Sequence, residues 1–118
     1  MALTTNTSIL TAIGNDHSYD VTFKRQVEAF VQPGDIVIGI STSGGSKNVV
    51  EAIKCAKDNK AKTIAFVGAK PCVLDDLCDI SMKMPSTITP RIQEGHITVG
   101  HIICQLVEEI LFGQTAKK

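Results

Sequence analysis

The sequence predicts a three-layer α/β/α sandwich built on a parallel sheet, and three observations carry that expectation. Two β-branched apolar runs, "DIVIGI" at 35–40 and "KTIAFVG" at 62–68, have the composition of strands covered on both faces. Between them, "KNVVEAIKCAKDN" sets apolar residues at helical spacing. The order that results, strand, helix, strand, short helix, strand, is that of βαβ units, whose crossovers lay helices on the faces of a parallel sheet.

Taken in chain order, "MALTT" reads as the last half of a buried strand, with no turn or polar segment to introduce it, so the chain is expected to begin in mid-fold. "SILTAI" (8–13) and "YDVTFKRQVEAFV" (19–31) read as helical, the second with Val21, Val27 and Phe30 on its inner side. The turn "QPG" introduces the strand 35–40, expected to be central in the sheet. A helix from about 47 to 59 follows, carrying Val49, Val50 and Ile53 inward, with Ser46 as its N-cap. After the second strand, "VLDDL" (73–77) makes a short helix and "DISMKM" (79–84) an alternating, more peripheral third strand.

Thr89 as N-cap and Pro90 at the first helical position launch a last helix, unbroken from Arg91 to about Phe112. At 1.5 Å per residue it is roughly 33 Å long. Its second half, "IICQLVEEILF", is apolar on more than one face. Another subunit or further chain is therefore expected to cover it.

The bulk composition narrows the class of function. The 118 residues suit one domain, with 43% hydrophobic and 20% charged residues. Twelve basic residues balance twelve acidic ones with no block of like charge, which gives no footprint for nucleic acid or an anionic membrane. Cys55, Cys72, Cys78 and Cys104 form no C-x-x-C or zinc-finger spacing and read as reduced, packed thiols of a cytoplasmic protein. No leader-like segment opens the chain, and no apolar run reaches the ~18 residues of a bilayer span.

The most informative stretch is "STSGGS", residues 41–46, set where the first strand meets its helix. In βαβ folds ligands bind beyond the carboxyl ends of the strands. Here Ser41, Thr42, Ser43 and Ser46 offer four hydroxyls, Gly44 and Gly45 allow close backbone approach, and the helix that follows points its positive end at the loop. A phosphate monoester suits that chemistry, and the alternative is a turn whose hydroxyls merely cap the helix. A nucleotide loop of the Walker type does not fit, because Gly45 stands where the motif needs lysine.

On the last helix, Gln93 and His101 are eight residues apart, hence about 80° apart around the axis, near enough to face one cleft. An imidazole moves protons near neutral pH or binds zinc, and an amide oxygen orients a hydroxyl or completes a metal shell. The alternative for His101 is a satisfied interface histidine. His96, about 140° from His101, reads as structural or solvent-facing, Arg91, Glu94, Glu108 and Glu109 as solvated charges, and Cys104 as core.

Together, "GISTSGGSKNVVEAI", "TTNTSILTAIGND" and "RIQEGHITVGHIICQLVEE" resemble, in order and over nearly the whole chain, the sugar isomerase (SIS) domain family and specifically its phosphoheptose isomerase branch. The serine loop alone marks a sugar-phosphate-binding SIS domain, whereas the "RIQE...H" helix is particular to the branch. The resemblance implies a Rossmann-like SIS fold incomplete at its N-terminus, with residues 1–118 forming the C-terminal two-thirds of the family domain. It also implies isomerisation of sedoheptulose 7-phosphate to D-glycero-D-manno-heptose 7-phosphate for lipopolysaccharide or other surface heptose, in a cytoplasmic homotetramer.

By the same resemblance, Ser41, Thr42, Ser43 and Ser46 bind phosphate and Asp16 contacts sugar hydroxyls. Gln93 and His101 serve catalysis and, in some members, a bound zinc whose other ligands come from the N-terminal part. Gly45 departs from the asparagine common at its position, and "GAKPCVLDDL" is shorter than the usual connection. The family's glycine-rich "GNGGS"-like loop, with the catalytic glutamate and histidine that follow it, has no match here. The chain by itself is thus expected to isomerise poorly, and a non-catalytic SIS module that binds a sugar phosphate or a protein partner stands as the alternative, as does a fragment that assembles but binds nothing.

Overall fold

The structure is a computed structural model that describes residues 1–113. Helix α1 (Thr7–Asp16), a 3-10 turn (Tyr19–Val21) and α2 (Thr22–Phe30) precede β1 (Ile36–Ile40); α3 (Lys47–Asp58), β2 (Lys62–Val67), α4 (Val73–Leu77), β3 (Ile80–Lys83) and α5 (Thr89–Phe112) follow. The strands form one parallel sheet in the order β1-β2-β3, with Ile38 opposite Ile64 and Ile64 opposite Ile80.

Strand alternation decides what each face meets. Gly39 lies beneath α3, and a side chain there would come within 2.9 Å of Val49 and 3.1 Å of Ile53. Ala65 and Val67 share that face and are sealed by Val50, Ile53 and Leu74. A second cluster, Val27 with Ala52, Cys55, Ala56 and Ala61, packs α2 onto the outer side of α3. On the other face, the register aligns Ile40, Phe66 and Met82, and Phe66 meets the His96 ring of α5 at 5.9 Å between centroids. Helices therefore lie on both sides of the sheet, as the three-layer class requires.

Local bonds fix the ends of the elements. Asn6 caps α1 by accepting the Ile9 amide at 3.0 Å. Asp75, at the start of α4, accepts from Lys83 Nζ and Ser81 Oγ, each at 2.6 Å, and from the Cys72 amide at 2.9 Å. The Lys83 ammonium, helped by Ser81, holds the Asp75 carboxyl far below the usual carboxylate range and ties α4 to β3.

Several expectations need correction. The strand 35–40 is an edge of the described sheet, and β2 is its centre. An apolar run reports that both faces want cover but carries no information on what lies alongside. "MALTT" forms no strand: Leu3 and Thr4 make a turn, closed by a bond from Thr5 Oγ1 to the Ala2 carbonyl. The segment 19–31 divides into a 3-10 turn and α2, in which Val27 is buried but Phe30 is exposed.

Thr89 is the first residue of α5, not its cap, and Ile88 occupies the cap position. Cys104 is exposed, not core. All four cysteines are unbridged, and burial pushes the Cys55 and Cys78 thiols up, so these two behave as packed thiols.

Only the first half of α5 is docked. Ile92 and His96 are its buried residues, and Gly95 between them lies against Met84, whose sulfur would overlap any side chain there. Beyond them the apolar residues face outward, Leu106 at 50% and Ile110 at 80% exposure. No helix among the described residues is long and apolar enough to cross a membrane.

Candidate functional site

The serine loop leaves the carboxyl end of β1 and turns into α3. Ser41 is buried, and its Oγ lies 2.9 Å from Ser46 Oγ and 3.5 Å from Ser43 Oγ while accepting the Gly44 amide at 3.1 Å. Ser43 Oγ in turn accepts the Gly45 amide at 3.3 Å. Three hydroxyls and two backbone amides thus converge in one cradle. Thr42 contributes through its backbone, its carbonyl accepting the Gly68 amide at 3.2 Å.

Ser46 is the N-cap residue of α3 by position, but its hydroxyl does not cap the helix; it turns back to Ser41. The alternative in which the hydroxyls serve only the helix end therefore loses its main support. Because α3 starts directly after Ser46, its positive end lies at the loop, where the helix dipole favours an anion.

Two glycines shape the loop. Gly44 has φ 65°, a left-handed conformation, and a Cβ there would overlap the Cys72 sulfur. Gly44→Ala is therefore expected to destabilise the protein by about 2–4 kcal/mol, from left-handed strain plus overpacking. Urea titration measures this, and adding Cys72→Ala should recover only part of the overpacking, because the Cys72 Cβ also lies 2.5 Å from the added one. No recovery at all would mean that Cys72 does not set the loop. Gly68 escaped the sequence reading, although a glycine immediately after a buried strand was the available signal. A side chain at Gly68 would approach the Thr42 carbonyl at 2.8 Å and Ile92 at 2.7 Å. Gly68 is thus the point where the serine loop and the first turn of α5 meet.

Asp16 ends α1, exposed, with its Oδ1 accepting from the Asn15 side chain at 3.0 Å. It lines a cavity of about 250 Å³ between α1 and α2, together with His17 and Arg25. The 3-10 turn that follows packs against α3, and Asp20 reaches Lys47 at 3.9 Å, so this region borders the loop side of the domain.

Gln93 and His101 are both exposed. The buried positions 92 and 96 point α5 at the sheet, and the two candidates project from the sides that remain. Among the described residues neither side chain has a hydrogen-bond partner, and neither bonds to the serine loop. What the fold joins directly to the loop is the first turn of α5, through Gly68.

A zinc ion fits this donor set only in part. Gln93 and His101 supply two donors where a zinc shell takes four, and no group of three His, Cys, Asp or Glu able to hold a metal is present among the described residues.

Comparison with known proteins adds an independent line. The family model described as "SIS domain" matches residues 1–68. Phosphoheptose isomerase 2 of Campylobacter jejuni is 55% identical over 114 residues, which make up 97% of this chain and 57% of that protein. The solved structure of phosphoheptose isomerase GmhA from Neisseria gonorrhoeae superposes with a TM-score of 0.88 at 43% identity, covering 91% of this chain and 61% of that one. A phosphoheptose isomerase from Francisella tularensis superposes with a TM-score of 0.89 at 33% identity, covering 92% and 59%. The chain spans less than two thirds of the length of each of these relatives.

Proposed function

The chain belongs to the SIS domain family, and from that premise we propose that it acts in a phosphoheptose isomerase, converting sedoheptulose 7-phosphate into D-glycero-D-manno-heptose 7-phosphate for lipopolysaccharide or surface polysaccharide. The observation that carries the proposal is the convergence of the Ser41, Ser43 and Ser46 hydroxyls with the Gly44 and Gly45 amides. In the free loop these groups bond one another. A phosphate oxygen replaces those bonds with charge-assisted ones, which are shorter and roughly twice as strong.

Isomerisation moves a proton from the hydroxymethyl carbon to the neighbouring carbonyl carbon through an enediol, while a second proton passes between the two oxygens. The loop fixes the far end of the sugar and converts the encounter into a positioned one. Asp16 meets sugar hydroxyls, Gln93 orients one of the reacting oxygens, and His101 carries the oxygen-bound proton. Zinc, where bound, would be held in part by Gln93 and His101 and would polarise the sugar oxygens. The base for the carbon-bound proton has no counterpart in this set, so the polypeptide of residues 1–118 assayed alone is expected to turn over poorly. The test follows aldose formation from sedoheptulose 7-phosphate. A full-length protein that binds the sugar phosphate without turnover would instead support a non-catalytic sugar-phosphate module, the reading favoured by the lack of any bond between His101 and the loop.

We also propose a cytoplasmic homotetramer assembled through α5. The exposed Leu106 and Ile110 support self-association, since so contiguous an apolar surface is unusual on a monomer. Leu106→Glu with Ile110→Glu is expected to dissociate the assembly or unfold the chain. A stable monomer of the unmodified protein in light scattering would contradict it.

A further inference from the structure

His96 is 5% exposed, lies against the Phe66 ring, and brings Nε2 to 3.3 Å from the Val67 carbonyl. Its other ring nitrogen, Nδ1, is buried without a partner. The carbonyl can only accept, so Nε2 carries the proton and donates. An apolar ring of similar size would fill this space with no orphaned nitrogen. The imidazole therefore contributes something that packing alone does not need, and the one polar bond it makes runs to Val67.

That bond ends at a junction. The Val67 carbonyl also accepts the Met84 amide at 2.9 Å, and the next residue, Gly68, donates its amide to the Thr42 carbonyl of the serine loop at 3.2 Å. On the helix side, Ile92 and His96 are the only buried residues of α5, and of the two only His96 has a side chain that makes a directional bond. Gln93 lies less than one turn before it, and His101 follows it by roughly 7–8 Å of helix. A rotation of α5 about its own axis would change where both residues point, and a hydrogen bond of fixed direction resists that rotation in addition to the packing of Ile92.

Building on the isomerase reading, we propose that His96 is a positioning residue: its bond to Val67 clamps the helix that bears Gln93 and His101 to the strand end that also holds the serine loop. The clamp sets the separation between the acid-base groups and the phosphate cradle, and His96 touches neither substrate nor reacting atoms.

Three substitutions in the full-length protein test this. Gln reaches as far as Nε2 and can donate to Val67, Asn stops short at the Nδ1 position, and Phe fills the space without donating. His96→Phe and His96→Asn are expected to lower kcat for sedoheptulose 7-phosphate about 10- to 100-fold with KM within about twofold, the scale of a small misplacement of catalytic groups. His96→Gln should stay within about threefold of the unmodified protein. The Phe variant should unfold thermally at or above the original temperature, since it removes the orphaned nitrogen.

Amide hydrogen exchange over residues 97–104 should quicken about tenfold in the Phe and Asn variants and stay unchanged in the Gln variant. This readout needs no turnover. If the unmodified protein has no isomerase activity, the functional reading fails, and the clamp is still decided by exchange. Unchanged kcat and unchanged exchange in the Phe variant would overturn the proposal, as would equal losses of thermal stability and kcat in all three variants, which would mark His96 as core and nothing more.

Discussion

His101→Ala is expected to lower isomerase turnover about 10²- to 10⁴-fold, the usual contribution of a single general acid-base group. The imidazole is exposed and makes no side-chain hydrogen bond among the described residues, so its removal breaks nothing that the domain needs to fold. The loss should fall almost entirely on kcat, because the phosphate cradle lies at the other end of the docked segment of α5 and keeps its hydroxyls. Sugar-phosphate affinity should therefore stay within about threefold in calorimetry. The assay follows aldose formation in the full-length protein, beside a thermal melt that should not move. Turnover within about fivefold of the unmodified enzyme would remove His101 from the chemistry and leave it as a residue of the apolar helix surface.

The second large effect lies in the cradle. Each serine gives up a bond within the loop when it takes a charge-assisted one to phosphate, for a difference of roughly 1 kcal/mol, so each of Ser41→Ala, Ser43→Ala and Ser46→Ala alone should weaken sugar-phosphate binding about fivefold. The triple variant should weaken it about 150-fold or more, which is roughly 3 kcal/mol. The Ser41 and Ser46 changes are coupled, because their Oγ atoms are 2.9 Å apart and each orients the other. For that reason the Ser41 change is expected to be the most damaging single one: it breaks the contacts to both Ser43 Oγ and Ser46 Oγ and leaves the Gly44 amide with the Ser41 carbonyl alone. Calorimetry on variants shown by circular dichroism to be folded measures the series. Unchanged affinity in the triple variant would move the phosphate elsewhere.

Much of this architecture was legible before any coordinates, and the particular elements show why. The strand at 62–67, the helix over Lys47–Asp58 and the end of α5 at Phe112 follow from β-branched runs, helical spacing and turn residues, all of which act over a few neighbours. The serine loop was legible for the same reason: its hydroxyls, its glycines and the helix start are contiguous in sequence. Gln93 and His101 were singled out by residue type and helical phase, which show that two side chains share a side of one helix but not what that side faces.

What the sequence determined by itself, then, is the order and kind of the elements and the chemistry of the loop. Only the tertiary structure decided that β2 lies between β1 and β3 in the described sheet, that the Ser46 hydroxyl turns inward to Ser41 instead of capping α3, and that His96 is buried on the Val67 carbonyl. Strand order depends on hydrogen bonds between segments far apart in the chain, and an apolar run is equally compatible with the centre and the edge. In α5, apolar residues on several faces left the helix phase ambiguous. The close approach of Gly95 to the Met84 side chain and of Gly68 to the Ile92 side chain resolved it, because a side chain packed onto bare glycine backbone fixes which side of α5 faces the sheet.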